Sequence, residues 1–236
     1  MKQLKNLSLL LLLLLAVSCT KTIEEPANEP APLLSGQEVA KLEVAQDADQ
    51  LVIVGATTES NAHLFFFEKN NGVWEEIFTT DAYIGQNGLG KTKEGDGKTP
   101  VGTYHFTKAF GIAPDPGCAL GYTQVDKTHY WVGDSSSRYY NQLVSTKEKK
   151  KKFNKKKSEH LIEFEKPYQY CLNISYNEEG KAKLGSAIFL HCFSDNPYTA
   201  GCIAISEPHM QQILTKVKPG CKVFITTFDE LKKSAM

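Results

Sequence analysis

A histidine and a cysteine separated by ten residues are the part of the sequence best suited to chemistry. His191 ends one apolar run and Cys202 precedes another, and a polar loop containing Pro197 lies between them. An unperturbed thiol has a pKa of ~8.5, so only a few per cent is thiolate at neutral pH, and a neighbouring imidazole can lower that pKa. The pattern therefore predicts a cysteine nucleophile, Cys202, activated by His191.

The residues before the cysteine are small. Ala200 and Gly201 would let a substrate carbonyl approach, and the backbone N–H groups of Gly201 and Cys202 could face the oxyanion that forms. The alternative is a purely structural pair, because a buried cysteine usually packs as a small apolar residue. Taken alone, these residues leave both interpretations open.

Two other kinds of site fit the same regions less well. A metal site would use His191, Cys192, Cys202 and His209, but the paired spacing of common zinc sites is missing. A phosphate loop at 97–99 would need a glycine at position 92, where the chain has Thr92. The residues therefore favour neither a metal site nor a phosphate loop.

The elements that position these residues are mainly strands. Alternating or continuous apolar runs predict strands at 51–54, 63–68, 73–78, 101–107, 130–132, 168–176, 185–190 and 223–225. Asn71 and Gly72 predict a hairpin turn between the second and third of these. One helix is predicted after the cysteine, capped by Ser206 and ended by the pair 219–220. The expected fold is a largely antiparallel β-domain with a few short helices.

The N-terminus has the features of an export signal. Lys2 and Lys5 precede seven leucines at 9–15, and small residues follow up to Cys19. This resembles a bacterial lipobox, which implies a lipoprotein signal peptide at 1–18 and lipidation of Cys19. An ordinary signal peptide with an incidental cysteine is the alternative. Residues 19–40, rich in proline and glutamate, predict a flexible tether, and 41–236 the folded domain.

Charge says little about partners. The chain has 27 basic and 27 acidic residues, so nothing argues for a nucleic-acid partner. The stretch 147–157 holds eight lysines, either a patch for an anionic polymer or a solvated insertion, and we favour the insertion. Besides Cys19 there are five cysteines, Cys118, Cys171, Cys192, Cys202 and Cys221, an odd number that suggests one reactive thiol but leaves any pairing open.

Two motifs together resemble a known family. The stretch 199–205, TAGCIAI, preceded by His191, resembles the catalytic signature of the L,D-transpeptidase (YkuD-type) domain, a histidine followed by Ser/Thr-x-Gly-Cys. The stretch 95–104, GDGKTPVGTY, is similar to the Thr-Pro-x-Gly motif of that family. The resemblance runs from about residue 51 to 228. It implies a YkuD-like β-sandwich or barrel with a few short helices.

The resemblance also implies a reaction. Cys202 would attack the carbonyl of a meso-diaminopimelate residue in a peptidoglycan stem peptide, with no cofactor, and His191 would move the proton. The enzyme would be a lipid-anchored monomer of the cell envelope, periplasmic or associated with the outer membrane. Candidate substrate-binding residues are Thr199, Arg138, Tyr140, Asn141 and His160, of which Arg138 is the single arginine of the chain and suits a carboxylate.

Three departures from the family pattern concern the acyl acceptor. Ala204 stands where most crosslinking members have an arginine, Cys192 replaces a frequent glycine, and the loop between His191 and Cys202 is short. A hydrolytic L,D-carboxypeptidase or endopeptidase is therefore one alternative function. A non-catalytic lipoprotein that binds wall peptide is another, and it would have a Cys202 thiol of ordinary reactivity.

Overall fold

The computed structural model describes residues 34–148 and 152–236. The predicted signal peptide, the lipidation site Cys19 and most of the predicted tether lie outside the described residues, as do positions 149–151 of the lysine-rich stretch. Residues 34–40, which the sequence analysis assigns to the tether, pack on the domain, since Leu34 and Val39 are fully buried.

The domain is mainly β, as predicted. Its strands are β1 (Gln50–Ala56), β2 (Asn61–Asn70), β3 (Val73–Tyr83), β4 (Gly102–Gly111), β5 (Tyr122–Gln124), β6 (His129–Trp131), β7 (Leu143–Ser145), β8 (Glu159–His160), β9 (Cys171–Ile174), β10 (Phe189–Cys192), β11 (Ile203–Ile205) and β12 (Lys222–Thr227). The helices are α1 (Gly36–Val39), α2 (Glu207–Lys216) and α3 (Phe228–Ser234), with short 3-10 turns at Glu43–Ala45, Lys155–Lys157, Leu161–Glu163 and Pro167–Gln169.

The main sheet closes into a barrel. Its order is β12-β1-β2-β3-β11-β10-β9-β4-β5, and β12 also pairs with β4, which closes the first eight of these strands into a ring. Most neighbours are antiparallel, whereas the pairs β1–β12, β4–β5 and β10–β11 are parallel. A second sheet of β7, β6 and β8 lies beside it in the fold.

The β2–β3 hairpin has the turn that the sequence predicts. Asn71 and Gly72 both have positive φ, 50° and 83°, and Asn70 pairs with Val73 across the turn. Two consecutive residues with positive φ are what a type I′ turn requires, and Asn-Gly is its preferred pair.

The barrel interior is filled by apolar side chains of the strands and of helix α2. Met210, Ile213 and Leu214 of α2 share this core with Leu190 and Ile203. The predicted helix is thus confirmed, but the Ser206 hydroxyl bonds His209 Nδ1 at 2.8 Å instead of a backbone N–H. Among the described helices, none is long and apolar enough to cross a membrane.

Two further cores lie on the outside of the barrel. The outer side chains of β1 and β2 pack against α1 and α3, with Phe65 and Leu231 in that cluster. The outer side chains of β4, β9 and β10 pack against the second sheet and the 3-10 turns, through Trp131, Tyr168 and Phe189. This second outer core is the one that carries the candidate site.

Two predicted strands differ from the observed ones. The predicted strand at 185–190 begins only at Phe189, because Gly185 and Ala187 have φ of 126° and 56°, which extended backbone does not allow. The predicted strand at 168–176 starts at Cys171, because Pro167–Gln169 forms a 3-10 turn. The first shift places irregular backbone before the start of β10, and the second places it near the end of β10, where His191 pairs with Cys171.

Candidate active site

His191 and Cys202 project from the same face of neighbouring strands. The parallel register sets Leu190 opposite Ile203 and His191 opposite Ala204, so Cys202 lies just before β11, level with Phe189. Since side chains alternate along a strand, Phe189, His191 and Cys202 point outward while Leu190 points into the barrel. The parallel register of β10 and β11 therefore sets both side chains on the same face.

The turn before the cysteine is held by its threonine. Thr199 Oγ1 donates to Cys202 O at 2.7 Å and accepts from Gly201 N at 3.0 Å. Gly201 has φ of 143°, and a Cβ there would lie 2.8 Å from Lys98 O. Only glycine fits without displacing the 98–99 backbone, which gives the Thr-x-Gly-Cys spacing a physical reason.

The second motif reaches the same carbonyl. Thr99 is fully buried. Its Oγ1 donates to Cys202 O at 3.2 Å and accepts from Gly85 N at 2.8 Å. Thr99 therefore positions the backbone of Cys202. The sequence analysis did not choose it as a site residue, although it lies inside the Thr-Pro-x-Gly motif.

The loop that carries Thr99 is organised by a buried carboxylate. Asp96 accepts hydrogen bonds from the backbone of Thr92, Lys93 and Lys98 and from Lys91 Nζ, at 2.8 to 3.1 Å. Burial opposes ionisation of Asp96, but these bonds outweigh it and hold the pKa of the carboxyl well below its usual range. The segment of the rejected phosphate loop is therefore part of a turn whose polar groups hydrogen-bond to Asp96 of the same turn.

The Cys202 thiol has two backbone partners. Sγ donates to Ala187 O at 3.1 Å and accepts from Phe189 N at 3.3 Å. Burial, with a smaller contribution from the nearby charge of Glu159, raises the pKa of Cys202 to about 12. Burial therefore disfavours the thiolate in this conformation, and no hydrogen bond joins Sγ to His191 among the described residues.

His191 is held in one tautomer. Its Nδ1 lies 2.7 Å from Cys192 O, and since a carbonyl only accepts, the proton is on Nδ1 and Nε2 keeps its lone pair. The ring of Tyr168 packs edge-on against the imidazole with centroids 5.6 Å apart. Burial lowers the pKa of His191 to about 4, so the imidazole is neutral at neutral pH and can act as a base.

Both residues open on one cavity of about 400 Å³. Its walls come from the 86–95 loop, the 186–188 backbone, the 159–168 region and the 194–202 loop. Within the described residues no group of three or more His, Cys, Asp and Glu side chains could hold a metal ion. The arrangement can therefore present a carbonyl to a thiol next to a neutral imidazole, which is the geometry of acyl transfer.

The sequence matches the family "L,D-transpeptidase catalytic domain" over residues 51–225, about three quarters of the chain. The chain belongs to the L,D-transpeptidase (YkuD) family. No curated protein is significantly similar to it in sequence.

Solved structures that resemble this L,D-transpeptidase domain are distant from it. Bd1075 of Bdellovibrio bacteriovorus is 15% identical with a TM-score of 0.42, and the match covers 82% of this chain and 55% of that one. The helical cell shape determining protein Pgp2 of Campylobacter jejuni is 16% identical with a TM-score of 0.41, covering 80% and 54%. L,D-transpeptidase 1 of Mycobacterium tuberculosis is 13% identical with a TM-score of 0.34, and the match covers 75% of this chain and 62% of that one. The chain thus spans about half the length of the first two.

The predicted substrate-binding residues of the L,D-transpeptidase domain fall into two groups. Thr199 lines the cavity beside Cys202. Arg138 is exposed and stacks on Tyr139 at 4.8 Å, and His160 stacks on Tyr130 at 4.4 Å. Neither Arg138 nor His160 lines the cavity. A substrate role for these two stays a prediction that the geometry does not favour.

Tyr140 and Asn141 support the cavity wall from behind. The Tyr140 hydroxyl bonds Glu94 and accepts from Gly185 N at 3.2 Å. Asn141 Oδ1 accepts from Ala187 N at 2.9 Å, and Ala187 O is the acceptor of the Cys202 thiol. Both residues therefore position the 185–187 backbone.

The residues that depart from the L,D-transpeptidase pattern lie next to His191 in the structure. Ala204 is buried opposite His191 in the strand register, so no side chain there reaches over the thiol. Cys192 points into the barrel core, on the opposite face from His191, with Sγ 3.8 Å from Tyr170 O. All five cysteines of the described residues are free thiols.

Proposed function

We propose that this protein is a peptidoglycan L,D-transpeptidase-type enzyme that forms a thioester between Cys202 and a stem tetrapeptide. The observation that carries the proposal is the shared outward face of β10 and β11, which sets a neutral imidazole and a thiol at one cavity. The substrate class comes from the family to which the domain belongs.

The first step is general-base acylation. The thiol rotates from Ala187 O towards the free Nε2 of His191, which accepts its proton as Sγ attacks the diaminopimelyl carbonyl. Because the thiol pKa lies high and the imidazole pKa low, the resting pair is neutral, and proton transfer accompanies the attack. Cys192 O stabilises the imidazolium through Nδ1–H.

The tetrahedral oxyanion needs a donor next to Sγ. The N–H of Gly201 is already donated to Thr199 Oγ1, so of the two predicted donors we assign the oxyanion to the N–H of Cys202. Collapse of the intermediate breaks the bond to the terminal D-residue, whose amine takes the proton from His191. The thioester then reacts with an amine to form a crosslink or with water to release a tripeptide.

Hydrolysis is the second candidate, and Ala204 is the observation that favours it. A small residue at this position leaves no guanidinium beside the thiol to hold the carboxylate of an acceptor. Water needs no such group. Mass spectrometry of muropeptides after incubation distinguishes the two outcomes, because 3–3 linked dimers mark transfer and tripeptides mark hydrolysis.

The decisive variant is Cys202→Ala. We expect the purified protein to convert disaccharide tetrapeptides and the variant to leave them unchanged, with a mass increase on the wild-type protein during single turnover. Processing by Cys202→Ala would contradict the proposal. An ordinary rate of Cys202 alkylation at pH 6, together with unchanged muropeptides, would favour the non-catalytic alternative.

The location of the enzyme is part of the proposal. The basic start, the leucine run and the small residues before Cys19 support export and lipidation in the cell envelope. Labelled fatty acid incorporated into the wild type, but not into Cys19→Ser, would be the expected result. Incorporation by both would contradict it.

A further inference from the structure

The charged side chains that line the cavity differ in whether their polar atoms have partners. Lys91 Nζ is paired with Asp96 Oδ1 at 2.9 Å, and both side chains are less than a tenth exposed. Glu94 Oε2 accepts from the Ser186 hydroxyl at 3.0 Å and from a tyrosine hydroxyl. These two charged residues are used to hold the walls of the cavity.

Glu159 is different, because half of its carboxyl is unused. Oε2 accepts from Tyr168 Oη at 2.8 Å, whereas Oε1 makes no hydrogen bond with any described residue. No lysine, arginine or histidine of the described residues lies within ion-pair distance of it. The side chain is only partly exposed, and what it is exposed to is the cavity.

The surroundings of Glu159 tie it to the nucleophile. Burial, opposed by the Tyr168 hydrogen bond and assisted by the negative charge of Glu94, raises the pKa of Glu159 to about 7. In turn the charge of Glu159 contributes to the raised pKa of Cys202, which the positive charge of Lys91 partly offsets. An ionised Glu159 therefore disfavours the thiolate until a cation neutralises it.

We propose that Glu159 is a specificity residue that binds a primary ammonium group of the substrate next to Cys202. The inference rests on the proposed function, since a meso-diaminopimelyl stem peptide has a free side-chain amine. That amine belongs either to the donor stem or to a second stem acting as acceptor. In both cases the ammonium would contact Oε1 while Tyr168 keeps Oε2 in place.

The contact would link recognition to reactivity. A charge-assisted hydrogen bond in a low-dielectric cavity is worth ~10- to 100-fold in affinity or rate. By neutralising Glu159, the ammonium would also make loss of the thiol proton easier. A peptide without the amine would gain neither effect.

The test compares two tetrapeptides, one with the free side-chain amine and one with that amine acetylated. For the wild type we expect acetylation to lower kcat/KM for acylation by ~10- to 100-fold, and for Glu159→Gln to lower it less than about 2-fold. Glu165→Gln is the matched control, because Glu165 lies on the same segment, is exposed and does not line the cavity. It should behave as the wild type.

A second arm locates the amine. If donor acetylation has no effect, the partition of the thioester between water and an added amine-bearing stem peptide is measured in both proteins. Reduced transfer in Glu159→Gln assigns the ammonium to the acceptor and supports the proposal. Equal transfer, together with equal use of both donors, would overturn it.

Binding to Cys202→Ala separates this inference from the proposed function. One outcome is that no peptide acylates the wild type, yet Cys202→Ala binds the free-amine peptide more tightly than the acetylated peptide, and adding Glu159→Gln removes this preference. The proposed reaction then fails and Glu159 keeps its role. If binding shows no preference for the amine, the inference on Glu159 fails whatever the reaction. A circular dichroism spectrum and melting temperature close to wild type establish that Glu159→Gln is folded.

Discussion

The hydroxyl of Thr99 donates a hydrogen bond to the carbonyl of Cys202, 103 residues further along the chain. Thr199 donates to the same oxygen from the turn before the cysteine. The backbone of Cys202 is thus fixed from two sides by threonines of the two sequence motifs. The two motifs therefore act on one carbonyl, although neither motif by itself indicates that it contacts the other.

The first prediction is that Thr99→Val separates positioning from folding. The variant keeps the shape but leaves Gly85 N without a buried acceptor, so unfolding should become easier by ~1–2 kcal/mol. Because Cys202 shifts, kcat should fall by about 10-fold or more with little change in KM. Thr79→Val is the control, since the Thr79 hydroxyl is buried without a hydrogen-bond partner. If both variants keep wild-type kcat, Thr99 is not a positioning residue.

The longer strands and the turn chemistry were predictable from local pattern, whereas the short strands β5, β7, β8 and β11 and the helices α1 and α3 were not predicted. The Asn71-Gly72 hairpin and helix α2 follow from composition and period within short windows. The start of β10 was not predictable from local pattern. Ala187 before it has a left-handed conformation, and its N–H donates to Oδ1 of Asn141, an amide 46 residues away.

The site was predictable in part. The reactive pair is visible in the sequence, but its meeting depends on a parallel β10–β11 register that loop length alone does not give. Glu159 has no local signal at all, since only the fold brings it beside Tyr168 and Cys202. The contrast shows which parts depend on local pattern and which on long-range packing.

The second prediction concerns Asn141. Its side chain joins Trp131 Nε1, Ala187 N and the carbonyls of Tyr176 and Asn177 at 2.9 to 3.1 Å, and its φ is 60°. Asn141→Ala removes buried hydrogen bonds at a strained backbone position, so the free energy of unfolding should fall by roughly 2–4 kcal/mol. Denaturant titration measures this.

A substrate-binding role for Asn141 predicts something else. It would raise the KM of Asn141→Ala without a comparable loss of stability. Arg138→Ala, at an exposed position outside the cavity, should leave both quantities near wild type. A large KM effect in either variant with unchanged unfolding would restore the original assignment.

The third prediction is a pH dependence from His191. Its folded pKa of about 4 lies below the ordinary value of ~6.5. The unfolded chain therefore takes up the proton first as pH falls, and stability is lost between about pH 6.5 and 4. Between pH 7 and 5 the loss should be roughly 2 kcal/mol larger in the wild type than in His191→Asn. His105→Asn, at an exposed histidine, should keep the wild-type loss.

The same shift sets the acid limb of activity. Because His191 must be neutral to accept the thiol proton, its acid limb of kcat/KM should lie near pH 4. The limb is measured in Glu159→Gln, because protonation of Glu159, whose pKa is about 7, would add a second limb in the wild type. A limb near pH 6.5 would mean that the imidazole is solvated in the working enzyme. Initial rates of D-residue release at constant ionic strength decide between these values.

The fourth prediction uses two glycines with positive φ. Gly201 and Gly220 have φ of 143° and 92°, but a Cβ on Gly201 would meet Lys98 O at 2.8 Å whereas one on Gly220 has nothing within 4 Å. Both alanine variants should lose about 1 kcal/mol or more from backbone strain. Only Gly201→Ala should also push the turn away from the 98–99 backbone and misplace Cys202. We therefore expect its acylation rate to fall by about 100-fold, with Gly220→Ala near wild type. Equal rates in the two variants would show that the nucleophile tolerates movement of this turn.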